Sequence, residues 1–159
     1  MSNAVFVSLQ PEFEKLKQRF PAGFESSLVL PCVRRIQEDR GFVADSDIDG
    51  LVEYLGVPRI QIEEVLSYYT QFRRAPEGRW RLEVCRNVSC SMRGSERLLG
   101  HLCERLGVRA GETSADGRVT LKTCECLGSC GTAPVLVVND EYHENMSVER
   151  VDELLGKLA

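Results

Sequence analysis

Hydrophobic positions fall at helical spacing through the first seventy-odd residues; beyond them, short apolar runs alternate with further helical segments. A first helix is expected from about Pro11 to Arg19, leading into Pro21-Ala22-Gly23. A second runs from about Ser27 to Asp39 with Leu30, Val33 and Ile36 inward. Pro31 must lie in its first turn or kink it, and Gly41 is a natural C-cap. Ser46 offers an N-cap for a third helix through Leu55, whose stripe is Ile48, Leu51, Val52 and Leu55. Pro58 suits the first position of a fourth, where Ile62, Val65, Leu66 and Tyr69 repeat at helical spacing and read as core rather than as a partner groove.

Arg73-Arg74-Ala75-Pro76-Glu77-Gly78 is polar and carries Pro and Gly, so it reads as a linker between domains at 1–75 and 76–159. The second domain opens with a strand over Arg79–Val84 that ends at Cys85. A helix from about Ser91 to Leu106 follows, with Leu98, Leu99, Leu102, Cys103 and Leu106 on one face. Next come a loop from Gly111 to Gly117, a strand over Arg118–Cys124 and a buried strand over Val135–Val138. Asn139-Asp140 turns that strand into Glu141–Glu144. Ser147 caps a last helix whose apolar face is Val148, Val151, Leu154, Leu155 and Leu158. Strand, helix, strand, hairpin and helix in that order suit a small α/β sandwich with a mixed sheet.

The 159 residues are enough for a core without disulfide staples, and 43% hydrophobic with 28% charged residues is ordinary for a water-soluble chain. A net charge of -4 argues against nucleic acid as a partner, because no basic excess exists to neutralise phosphates. No apolar run approaches the roughly twenty residues of a membrane helix. Met1–Phe6 lacks the Arg-rich amphipathic character of a transit peptide, so the cytoplasm, where thiols stay reduced, is the expected compartment.

Chemistry enters with seven cysteines. Cys85 and Cys90 have four residues between them and Cys126 and Cys130 have three, which is how iron-sulfur ligands pair, and four thiolates suffice for a 2Fe-2S centre. Cys90, placed just before a helix, is expected to be favoured as thiolate. The glycines of Cys126-Leu127-Gly128-Ser129-Cys130-Gly131 can turn backbone N–H groups toward sulfur. A zinc site stays open on spacing alone and would make the chain a zinc-stabilised scaffold. Two structural disulfides suit neither an odd cysteine count nor a chain without a secretory signal, and a Cys-x-x-Cys redox pair occurs nowhere. Cys32 and Cys103 read as small buried hydrophobes. His101 and His143 lack the spacing of a Rieske centre. No Gly-x-Gly-x-x-Gly, Walker loop or nucleophile and base pair marks a complete active site.

Cys85-Arg86-Asn87-Val88-Ser89-Cys90-Ser91-Met92-Arg93-Gly94, with Glu125–Cys130 and Ala133-Pro134, resembles the 24 kDa-type 2Fe-2S subunit of respiratory complex I, the NADH-quinone oxidoreductase. The likeness continues upstream through Leu30-Pro31, Ile36-Gln37-Glu38, Glu53–Pro58 and Glu63–Tyr69, and so covers about Ser26 to Leu158. The resemblance implies a thioredoxin-like 2Fe-2S ferredoxin domain behind a small all-helical domain. Cys85, Cys90, Cys126 and Cys130 would bind one 2Fe-2S cluster that exchanges electrons with the flavin of an FMN- and NADH-binding partner subunit, in a complex peripheral to the inner membrane. NAD-linked hydrogenases and formate dehydrogenases share the module, so an equivalent subunit of either is the alternative, and a free-standing ferredoxin is a further one. Cys124 departs from the family's usual aliphatic residue and reads as a spare thiol packed beside the cluster, or as a substitute for Cys126. Pro134 would be the cis-proline that faces the redox site. Arg86 and Arg93 would offset the cluster's negative charge or dock the partner.

Overall fold

The computed structural model describes residues 4–158, so Met1–Asn3, part of the stretch read for transit-peptide character, lie outside it. The chain forms two compact units, Met1–Pro76 and Glu77–Ala159. Among the described residues no helix is long and apolar enough to cross a membrane.

The first unit is helical: α1 (Ala4–Lys17), a 3-10 turn over Glu25–Leu28, α2 (Val29–Arg40), α3 (Asp45–Leu55) and α4 (Arg59–Tyr68). Its core gathers Leu9, Phe13, Leu28, Val29, Cys32, Val33, Ile36, Ile48, Leu51 and Ile62. The first helix begins before the expected Pro11 and holds that proline inside. Phe6, Leu9, Phe13 and Leu16 continue one stripe through it, and Phe6 and Phe13 rings meet at 5.3 Å, so packing offsets the amide that proline lacks. Leu30, expected inward, is exposed; Leu28 and Val29 take the inward places because the 3-10 turn shifts the helix start. Gly41 does close α2 in the left-handed region.

Ser46 is not the cap of α3. Ala44 occupies that position, and the buried Asp47 carboxylate accepts from the Ala44 N–H at 2.8 Å while pairing with Arg40 at 3.0 Å. This is the half of a capping box that reaches back from the third helical residue. Pro58 is the N-cap of α4 rather than its first residue, and Tyr69 lies on the surface beside the exposed Tyr68 because the helix has ended by then. Arg74 pairs with Asp45 and Glu63, so the linker start is held on the helical unit.

The second unit comprises β1 (Trp80–Cys85), α5 (Val88–Met92), α6 (Ser95–Leu106), β2 (Val119–Cys124), a 3-10 turn at Cys130–Thr132, β3 (Leu136–Val138), β4 (Glu141–His143) and α7 (Val148–Lys157). The sheet order is β2-β1-β3-β4, with β1 parallel to β2 and antiparallel to β3. Leu82, Val84, Leu121, Leu136 and Val138 share a core with Leu98 and Leu102 of α6 and Val151 and Leu154 of α7. Cys103 lies half-buried at its margin. The expected single helix from Ser91 is two helices, since Gly94 takes φ 94° between them and breaks the first at Met92. Ser147 caps α7, its hydroxyl accepting from Arg150 N–H.

Candidate metal centre at the ends of the parallel strands

Parallel strands bring the loops that follow them to the same end of a sheet. In the ladder Cys85 faces Cys124, the last residues of β1 and β2, so the loop bearing Cys90 and the loop bearing Cys126 and Cys130 start side by side. Under them lies a small apolar pocket of Cys85, Cys90, Ala133 and Val135, with Cys124 and Leu127 packed against it. Four of the expected site residues therefore divide into a buried pair, Cys85 and Cys90, and an exposed pair, Cys126 and Cys130.

The buried pair is electrostatically asymmetric. Burial pushes the Cys85 thiol up, but hydrogen bonds from the Asn87 and Leu127 backbone N–H groups and from Cys90 outweigh it and bring Cys85 below the usual cysteine value. Burial, the bond given to Cys85 and the nearby Cys85 and Cys130 sulfurs push Cys90 up, against a backbone donor at Val135. The expectation that Cys90 would be the activated thiol is thus corrected. Asn87 accepts from the Val88 N–H at 2.8 Å and starts α5 early, which places Cys90 inside the helix and leaves Cys85 to collect the N–H groups.

The exposed pair sits on a loop shaped by Gly128, whose φ of 76° lets its N–H donate to Cys126 Sγ at 3.4 Å. The β3–β4 hairpin braces this loop. Tyr142 donates to the Leu127 carbonyl at 3.1 Å, and the Glu144 carboxylate accepts from Ser129 and Thr132, bonds that hold it below the usual carboxylate range. The sequence placed Tyr142 and Glu144 in a hairpin, Val135 in a buried strand and Ala133 beside Pro134, but none of them was read as bracing or flooring the cysteine loops. Asn87, a strong capping residue between two cysteines, was the one legible signal among the omissions.

The Ala133-Pro134 bond is cis, and the Pro134 carbonyl accepts from the Met146 N–H at 3.0 Å. Arg86 is not a free charge beside the cysteines: it pairs with Glu125 at 2.7 Å, and Arg93 is exposed. His101 is held by Asp152 at 3.0 Å, away from the cysteines. Cys124 is half-buried and pushed up to about 12, chiefly by burial and then by the neighbouring Cys85, Glu83, Cys90 and Cys126.

Among the described residues no three His, Cys, Asp or Glu side chains close around a point that could hold one metal ion. The donors present are soft thiols in two pairs above an apolar floor, with backbone N–H groups turned to their sulfurs. Four thiols of this kind fit an iron-sulfur cluster, which they would hold as thiolates.

An α/β domain with a mixed four-stranded sheet that displays cysteines at the end of its parallel strand pair has the architecture of a thioredoxin-like fold. The family model for the thioredoxin-like [2Fe-2S] ferredoxin matches residues 13–159, and the chain belongs to that family. Its cofactor is one 2Fe-2S cluster. An NADH-quinone oxidoreductase subunit of Rhizobium meliloti (strain 1021) is 40% identical over 149 residues, which are 94% of this chain and 88% of the relative. NADH-quinone oxidoreductase subunit 2 of Thermus thermophilus is 34% identical over 154 residues, 96% of this chain and 85% of the relative. Among solved structures, an air-oxidised NAD+-reducing [NiFe]-hydrogenase superposes with a TM-score of 0.69 at 22% identity, over 82% of this chain and 22% of the hydrogenase chain. That likeness is one of fold.

Proposed function

We propose that Cys85, Cys90, Cys126 and Cys130 hold the cluster, and that the chain exchanges single electrons with the flavin of an FMN- and NADH-binding partner subunit within an NADH-quinone oxidoreductase. The observation that carries this reading is the convergence of the two cysteine loops over one apolar pocket at the paired ends of β1 and β2. The cluster, when bound, supplies a one-electron couple. Cys85 and Cys90 anchor the site from inside the domain, while Cys126 and Cys130 put its other side at the surface, where a donor can approach. The N–H groups of Asn87, Leu127 and Gly128 offer hydrogen bonds to sulfur, which favour added negative charge there. The hairpin keeps the exposed loop in place through Tyr142 and Glu144.

Residues 1–75 would serve as a docking arm and 76–159 as the cluster domain, in an assembly peripheral to the inner membrane on its cytoplasmic side. Names of relatives 34–40% identical over nearly the whole chain support that setting. Hydride chemistry would remain with the partner's flavin.

An anaerobic optical and EPR spectrum of the purified chain, before and after dithionite, tests the reading, with iron and zinc counted on the same sample. About two irons per chain and an EPR signal that appears only on reduction are expected. A colourless chain that retains zinc and takes up neither iron nor sulfide would refute it.

A further inference from the structure

Five of the seven cysteines, Cys85, Cys90, Cys124, Cys126 and Cys130, gather at the strand ends, one more than a 2Fe-2S cluster needs. Cys124 ends β2 as the ladder partner of Cys85, and its carbonyl accepts from the Arg86 N–H at 3.0 Å, so its backbone is fixed beside the first cysteine loop. Its side chain packs against the pocket of Cys85, Cys90, Ala133 and Val135. No ordinary packing demand calls for sulfur here, because an aliphatic side chain would fill an apolar pocket margin equally well.

Exposure separates Cys124 from its neighbour two residues on. Cys126 is exposed and rides on a loop that turns at Gly128, whereas Cys124 is half-buried on a paired strand. An exposed thiol meets oxidants and alkylating agents first. A ligand set whose outermost member is the vulnerable one gains from a sheltered thiol nearby.

We propose that Cys124 is a reserve ligand: when Cys126 is absent or chemically blocked, the Cys124 sulfur bonds the iron that Cys126 would have held. The Cys124 thiol then gives its proton to solvent, one iron–sulfur bond replaces another, and no electron moves. The proposal rests on the assignment of Cys85, Cys90, Cys126 and Cys130 as the resident ligands.

The test compares wild type, Cys124→Ala, Cys126→Ala and the double variant, all purified anaerobically and reconstituted with iron and sulfide. Iron and acid-labile sulfide per chain are counted, and optical and EPR spectra recorded. Cys124→Ala should match wild type. Cys126→Ala should keep about two irons per chain with a shifted spectrum, and the double variant should fall to below about one-tenth of that iron. A Cys126→Ala chain as empty as the double variant overturns the reserve role while leaving the four-ligand assignment intact. A double variant with the full wild-type spectrum overturns that assignment and the proposal with it. Loss of the cluster from Cys124→Ala, with Cys126→Ala unchanged, makes Cys124 a resident ligand and likewise overturns both. Should Cys126→Ala not fold by circular dichroism, Cys126→Val, which also offers no donor, is read against Cys124→Ala/Cys126→Val, and equal iron in the two overturns the reserve role.

Discussion

Gly78, just before β1, packs directly on the backbone that enters β2, and replacing it with alanine tests whether that approach is rigid. A Cβ built there would lie 2.6 Å from the Arg118 carbonyl oxygen, 2.7 Å from its carbon and 2.8 Å from Val119 N. These are backbone atoms of the neighbouring strand, so no side-chain rotation relieves the clash. Moving the oxygen from 2.6 Å to the 3.4 Å at which ordinary contact begins requires a shift of 0.8 Å. That shift breaks or strains two bonds at the start of the ladder, Trp80 N–H to Arg118 O at 2.9 Å and Gly78 N–H to Thr120 Oγ1 at 2.7 Å. Two hydrogen bonds at about 1 kcal/mol each, with about 1 kcal/mol of overpacking strain, give a loss of about 3 kcal/mol. Urea unfolding followed by the fluorescence of Trp80, the chain's single tryptophan, reports on this unit. With an m-value of about 1.5 kcal/mol per molar, the midpoint should drop by about 2 M. Gly100→Ala is the control, since nothing lies within 4 Å of a Cβ on that helical residue, and alanine there should raise stability by up to about 1 kcal/mol. A midpoint drop below about 0.5 M for Gly78→Ala would refute the claim that backbone contact sets the strand spacing.

Other outcomes follow from the packing and the site. Asp47→Ala removes the buried partner of Arg40 and the acceptor for Ala44 N–H, and thermal unfolding followed by helical circular dichroism should show a loss of about 3 kcal/mol in the helical unit. Burial pushes Cys32 from 9.0 up to about 12, so the folded state holds this proton more tightly than the unfolded chain; its contribution is complete below pH 9 and is lost as pH rises toward 12. Between pH 9 and pH 10.5, Cys32→Ala should therefore lose about 2 kcal/mol less in urea titrations than wild type does, and parallel alkaline limbs would count against the assignment. Gly128→Ala forces a side chain to φ 76° at a cost of about 1 kcal/mol, and iron release to a ferrous chelator should quicken about fivefold; an unchanged rate would show that the loop does not need this conformation.

Most of the site was legible because its chemistry is written in short spacings. Four residues between Cys85 and Cys90 and three between Cys126 and Cys130 need no tertiary knowledge to suggest paired thiolate ligands. Helix caps that use the residue's own side chain, such as Ser147, were equally readable. Asp47 was not, because it caps backward from inside the helix and is paired with a residue on another helix. The break at Gly94 was hidden because the apolar face that defines the helix begins only at Leu98, and the positive φ alone shows that the chain turns before it. Tyr142 and Glu144 were invisible for a different reason: they reach loop residues 12 to 15 positions away in sequence, and only the hairpin pairing reveals that contact. The expected start at Pro11 was seven residues late because aromatic packing carries the helix through the proline from Ala4.

The register of β1 on β2 works as a ruler for the cysteine loops, and this makes the chain's tolerance of length changes uneven. Ser114 and Val119 exchange bonds across a tip at Asp116-Gly117, outside the span that pairs with β1. Residues added at that tip lengthen a solvent-facing turn and leave Cys85 opposite Cys124. One residue inserted between Val119 and Cys124 instead advances the strand by about 3.3 Å and turns every following side chain to the opposite face of the sheet. Inserting a tag at 116–117 is thus compatible with a filled site, whereas the same tag placed within β2 separates the two cysteine loops.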